Sequence, residues 1–286
     1  MMRKIPIILV ICSVLFPLLF VFASTEQMKE DVRQLKQPIF AVKEKAVPVV
    51  EQEQSVERRD EQPKRVEQPK ENEQKKQNIR HVKPVIILDP GHQKKADLTK
   101  EASSPKTTKQ QVKQRQSATG VTTKKNESVV TLQFAKKLQK QLEKKGYTVL
   151  LTRTTQDVQL SNKERASFAN EQEATYVITL HADGATSDRR GFYVATPAEK
   201  AVSQKKFEAS EKLAVAVLRA VSKEDVVFQN GIFYRKDDTL FNWTTAPSIS
   251  IQLGFLSNAK DDQKMSNTLY LNELAKWVAR GVPKAK

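Results

Sequence analysis

Val85-Ile86-Ile87-Leu88 runs directly into Asp89-Pro90-Gly91-His92, and this junction constrains the fold more than any other stretch of the chain. Four consecutive apolar residues of β-forming type read as a strand buried on both faces, of the kind found inside parallel sheets. Proline and glycine then break the strand and deliver His92 to its carboxyl end, the edge where open α/β sheets place their chemistry. Tyr176-Val177-Ile178-Thr179-Leu180 ends on His181 in the same way. The 286 residues include only three histidines, so two strands that each end on one are a functional signal.

Around these two strands the pattern alternates. An amphipathic helix is predicted over 127–145, stopped by Gly146, and a strand over 148–152. Ser161 and Glu164 form a capping-box pair that opens a helix through Asn170. A strand over 191–195, a helix over 203–221, a β-rich stretch, a buried strand over 248–253 and a closing helix over 269–280 complete the domain. This βαβα order predicts an α/β fold, a mostly parallel sheet flanked by helices on both faces, in a single domain over residues 84–286.

The first 83 residues are not domain-like. Arg3 and Lys4 precede an uncharged apolar run over residues 5–23 with small residues at its end. Residues 1–25 therefore read either as a cleaved signal peptide or as a retained membrane anchor, and both place the remainder outside the cytoplasmic membrane. Residues 26–83 are rich in Gln, Glu, Lys, Arg and Pro and repeat Glu61-Gln62-Pro63-Lys64 as Glu67-Gln68-Pro69-Lys70. Such a stretch buries too little apolar surface to fold and reads as a disordered charged linker, with no role assigned to His81 at its end. The sole cysteine, Cys12, falls in the apolar run, which excludes disulfides and thiol catalysis in the exported part.

The formal net charge is +16, which points to a polyanionic neighbour. A long polar loop over residues 94–125 carries Lys94, Lys95, Lys100, Lys106, Lys109, Lys113, Arg115, Lys124 and Lys125 against Asp97 and Glu101, a net of +7. It reads either as a mobile solvated loop or as a contact for anionic wall polymers or a membrane surface. Nucleic acid fits poorly, because no aromatic residue interleaves with the lysines and an exported domain seldom meets it.

Glu127 opens the first helix, with Thr131, Phe134 and Leu138 at i+4, i+7 and i+11, so its carboxylate lies on the face that packs against the sheet. Alone it reads equally as an acid favoured by the helix macrodipole. Together, His92, His181 and Glu127 supply the two-histidine, one-carboxylate set that catalytic zinc uses, with a position left open for water.

In order along the chain stand Asp89-Pro90-Gly91-His92, Asn126-Glu127, Leu151-Thr152-Arg153, Asn162-Lys163-Glu164-Arg165 with Ala169-Asn170, and Leu180-His181-Ala182-Asp183. Asn242-Trp243 follows, and then Pro247 leads to Gly254-Phe255-Leu256-Ser257-Asn258. This series resembles the zinc-dependent N-acetylmuramoyl-L-alanine amidases of bacterial autolysins (amidase type 3), over essentially all of residues 85–282. The resemblance implies a twisted sheet flanked by helices, Zn2+ held by His92, Glu127 and His181, and hydrolysis of the amide between muramic acid and L-alanine of the peptidoglycan stem peptide. It places the protein in the cell wall or on the outer face of the membrane.

One position departs from the family pattern. The last core strand is expected to end in a glutamate that takes a proton from the attacking water and hands it to the leaving amine, and this chain has Gln252 there. A glutamine orients water but accepts no proton. Asp183, Asp97 and Glu101 are the carboxylates that stand nearest to replacing it. Two readings follow: a wall amidase of reduced activity, or an inactive amidase-like module that binds peptidoglycan or regulates a partner hydrolase.

Overall fold

The computed structural model describes residues 83–285. The apolar run over 5–23, Cys12, the charged linker and His81 lie outside the described residues. Among the described residues no helix is long and apolar enough to cross a membrane.

Six strands form the main sheet. β1 (Val85–Pro90), β4 (Thr148–Leu151), β5 (Tyr176–Asp183), β6 (Phe192–Pro197), β7 (Val227–Arg235) and β8 (Ser248–Phe255) lie in the order β4-β1-β5-β8-β6-β7. β1 pairs in parallel with β4 and β5, and β5 with β8; only the β6–β8 pair is antiparallel. In β1, Ile86, Ile87 and Leu88 are wholly buried, as a strand covered on both faces requires. The prediction of a mostly parallel sheet between helices holds.

α1 (Glu127–Glu143), α3 (Gln204–Val221) and α6 (Thr268–Gly281) pack as one layer, α6 lying against both others. α1 buries Thr131, Phe134, Leu138 and Leu142 along one stripe, and Asn126 caps it by accepting from Ser128 N. Gly146 takes φ +95° just beyond its end, a conformation that stops a helix at little cost only for glycine. α2 (Asn162–Glu171) and α4 (Thr239–Trp243) pack against each other, and Ala166, Ala169, Leu240 and Phe241 meet Ile87, Val177 and Ala195 of the sheet. Ser161 and Glu164 close the expected capping box. Lys206 of α3 is buried and donates to Phe241 O and Thr244 O, closing the carboxyl end of α4. Burial pushes its ammonium down to about 8.

Two elements differ from expectation. α5 (Ala259–Ser266) is a short polar helix started by Asn258, which accepts from Lys260 N and Asp261 N. The long basic loop is not structureless, because β2 (Asp97–Ala102) and β3 (Gln110–Gln114) pair antiparallel within it. The hairpin has almost no apolar residues, so periodicity carries no sign of it. Polar contacts to the domain hold it instead: Lys163 N donates to Glu101, Gln114 Nε2 to Asn162 Oδ1, and Trp243 Nε1 to Ala102 O.

Candidate metal centre

β1 and β5 run side by side, with Pro90 opposite Leu180, so the segments that follow carry His92 and His181 to the same sheet edge. Gly91 N donates to Leu180 O at 2.8 Å, and a Cβ on Gly91 would stand 2.4 Å from the His181 ring. Only glycine lets the turn pass this close. His92 itself takes φ +60°, a strained conformation for a side-chain-bearing residue, and such strain persists only where the surroundings enforce it.

The enforcement comes from two buried arginines. Arg165 donates to Asp89 Oδ1 at 2.7 Å, to Pro90 O, to His92 O and to Gln93 Oε1. Arg153 donates to Pro90 O and Gly91 O, and to Ser128 O in the first turn of α1. The strand end that bears His92 is thereby tied to the helix that begins with Glu127. Burial and the neighbouring Arg165 push Arg153 down to about 10, which leaves it charged at neutral pH.

Burial by itself would raise Asp89, but the charge of Arg165 and the hydrogen bonds from Thr152 and Arg165 hold its carboxyl below the usual carboxylate range. A carboxylate with a depressed folded pKa stabilises the fold above its unfolded value of about 3.9, and that stability is lost as pH falls through the folded value. Asp89→Asn should therefore flatten the acid limb of a circular-dichroism unfolding titration below about pH 4. Arg165→Met, which leaves the buried carboxylate unpaired, should cost about 3–5 kcal/mol at neutral pH by denaturant titration.

Glu127 is buried and bridges the two histidines. Its Oε2 lies 3.1 Å from His92 Nε2 and its Oε1 2.9 Å from His181 Nδ1. Two backbone amides orient the carboxylate, Ala118 N on Oε2 and Ala182 N on Oε1. Burial works against its ionisation, yet the hydrogen bonds and charges of His181 and His92 hold its pKa far below the ordinary value. Burial alone would also lower His181, but Glu127 lifts it above the usual imidazole pKa. The other nitrogen of His92, Nδ1, faces Arg115 O at 3.1 Å, an outer contact that leaves Nε2 for a ligand. Arg115 lies just beyond β3, so the hairpin segment takes part in the site.

The donor set fits a tetrahedral zinc ion. One donor atom from each of His92, Glu127 and His181 lies within 4.8 Å of the others. The fit lies in the donor chemistry, two imidazoles and a carboxylate with a fourth position open.

Gln252 on β8 is the register partner of His181, so the two side chains share a face of neighbouring strands. On its other side it faces Tyr193 of β6. Its Oε1 is buried with no hydrogen-bond partner among the described residues, a position that a donor from water or substrate would satisfy. The three alternative carboxylates are occupied. Asp183 accepts from Tyr193 OH and Gly184 N, Glu101 from Lys163 N, and Asp97 from Thr99. Asp238 caps α4 by accepting from Phe241 N, and burial raises its carboxyl. Its loop position after β7 carried no motif to mark it.

Residues 86–284 match the family model described as N-acetylmuramoyl-L-alanine amidase. The chain belongs to the N-acetylmuramoyl-L-alanine amidase family. It is similar to an N-acetylmuramoyl-L-alanine amidase of Mycobacterium tuberculosis, 29% identical over 123 residues that make up 42% of this chain and 51% of that relative. An uncharacterized cell wall amidase of Bacillus anthracis is 26% identical over 169 residues, 55% of this chain and 31% of its own length. The chain thus spans about half or less of the curated relatives it matches. In fold it is similar to the crystal structure of the amidase Ami1 from Mycobacterium smegmatis, with a TM-score of 0.61 at 20% identity over 69% of this chain and 94% of that one. Arg153 and Arg165, which stand in the quoted motifs without an assigned role, brace the turn that bears His92. Their positions, directly after a strand and inside a helix start, were the available signal.

Proposed function

We propose that this protein is an exported cell-wall amidase that uses zinc to hydrolyse the amide between N-acetylmuramic acid and L-alanine in peptidoglycan. The observation that carries the reading is the bridged His92–Glu127–His181 group at the carboxyl edge of an amidase-family sheet. Zinc bound there would polarise the scissile carbonyl and lower the pKa of the attacking water. The chain supplies the rest. His92, Glu127 and His181 hold the ion, and Arg153, Arg165 and the Arg115 carbonyl fix where the first of these ligands stands. Gln252 beside His181 orients water through its free carbonyl and moves no proton, so turnover is slow. The test is zinc content of the purified protein together with release of L-alanine amino termini from isolated peptidoglycan.

The same glutamine favours a second reading, an inactive module that binds peptidoglycan or regulates a partner wall hydrolase. It gains ground if zinc is bound and no amino termini appear.

Residues 5–23, as signal or anchor, place the domain in the wall or at the outer membrane face on this reading. Lys94, Lys95, Lys100, Lys106, Lys109, Arg115 and Lys124 are exposed in the segment that contains the hairpin, and they supply a surface for anionic wall polymers. Exposed charges act through screened attraction, with a Debye length of about 10 Å at 0.1 M salt. Binding to isolated walls should weaken several-fold between low salt and ~0.5 M salt and on removal of wall anions. Unchanged binding by a variant with these residues neutralised would refute the role.

A further inference from the structure

The three segments that carry Glu127, His181 and Gln252 do not part after the site. They meet again in one cleft of about 360 Å³, lined by Val121, Ser187, Arg190, Ser257, Asn258 and Lys260 with Ala259. Val121 lies just ahead of Glu127, Ser187 and Arg190 follow His181, and the remaining residues follow Gln252. Backbone and side-chain bonds knit the segments together: Leu256 N to Asp183 O, Val121 N to Leu256 O, Ala185 N to Ser257 Oγ, and Asn258 Nδ2 to Ser187 O. The cleft is therefore built from segments that leave the same sheet edge as the metal centre.

Its chemistry is one-sided. Arg190 and Lys260 are the charged residues of the lining, and no acid stands among them. Arg190 lines the cleft, and its Nε is buried with no hydrogen-bond partner among the described residues. The acids that follow Lys260 are committed elsewhere, and exposed Asp188 next to Ser187 is held by Thr186 and Arg189. Asp261 accepts from Gly191 N and Phe255 N, and Asp262 from Thr122 N, Thr123 N and Thr123 Oγ1. Two cations with serine hydroxyls and an asparagine amide around them suit a carboxylate.

We propose that this cleft is a subsite for a free carboxylate of the stem peptide, on the amine side of the scissile amide. The proposal rests on the amidase reading for which side of the bond enters. On that side the substrate is a peptide with free carboxylates, while the sugar on the other side presents hydroxyls and neutral amides. The subsite selects acidic stem peptides over those whose carboxylate is amidated.

The test uses the full chain and two synthetic peptides with the lysine carboxyl blocked as an amide in both, L-alanyl-γ-D-glutamyl-L-lysinamide and its glutamate α-amide. Calorimetry should show the acid binding about 10–100-fold more tightly than the amide, the range for a charge-assisted hydrogen bond. Lys260→Gln and Arg190→Gln should each remove most of the discrimination, and Arg190→Lys should keep part of it. Lys260 is exposed, so its variant tests the cleft without risk to the fold. Equal binding of acid and amide, no measurable binding of either, or discrimination that survives both glutamine substitutions together would overturn the proposal. Hydrolysis of the corresponding N-acetylmuramoyl peptides is followed in parallel. Discrimination in binding without hydrolysis keeps the subsite and sinks the amidase reading, and hydrolysis without discrimination does the reverse.

Discussion

Gln252→Glu should raise release of L-alanine amino termini from peptidoglycan by about 10²–10⁴-fold, the range that positioned general acid-base help supplies. The two side chains have nearly the same volume, and the glutamine carbonyl is buried without a partner beside His181. A carboxylate there meets a position that accepts a hydrogen bond and has no competing donor to lose. Nearby positive charge from a bound ion would keep it ionised and able to take a proton. A wild type already as active as the variant would mean that another group moves the proton. Zinc binding by both forms with hydrolysis by neither would replace the enzymatic reading with the regulatory one.

The second large effect is on metal. The purified chain should hold about one zinc per molecule, and His92→Ala or His181→Ala should remove it under dialysis that the wild type survives. Loss of an outer-shell partner typically costs 10–100-fold in metal affinity, and loss of a first ligand should exceed that. Each histidine also pairs with the buried Glu127 carboxylate, so thermal unfolding of the two variants without metal should begin below that of wild type without metal, and zinc retention is compared at a temperature where all three are folded. Metal analysis that finds no zinc in the wild type, in buffers where a known zinc hydrolase keeps its own, would refute the assignment.

Much of the site is legible in the chain because its parts obey local rules. A buried strand reads as an apolar run, Pro90-Gly91 ends it, and helix periodicity turns Glu127 inward, so three donors separated by up to 89 positions announce themselves independently. The capping box of α2 behaves likewise, since it is decided by residues three apart. The hairpin within residues 94–125 follows no such rule. Its strands are polar on both faces, and its stability comes from bonds to Asn162, Lys163 and Trp243 that are remote in sequence.

By itself, then, the sequence determined the strands of the main sheet, most helices and the α/β class, and it picked out three candidate donors, because hydrophobic period and chain-breaking residues act over a few positions. Only the tertiary structure decided how those donors face one another. Long-range sheet register put Gln252 beside His181, and Arg153 and Arg165 closed on carbonyls of a turn more than sixty residues away. Register and buried hydrogen bonds between distant residues are fixed by the packed chain as a whole, and no local pattern encodes them.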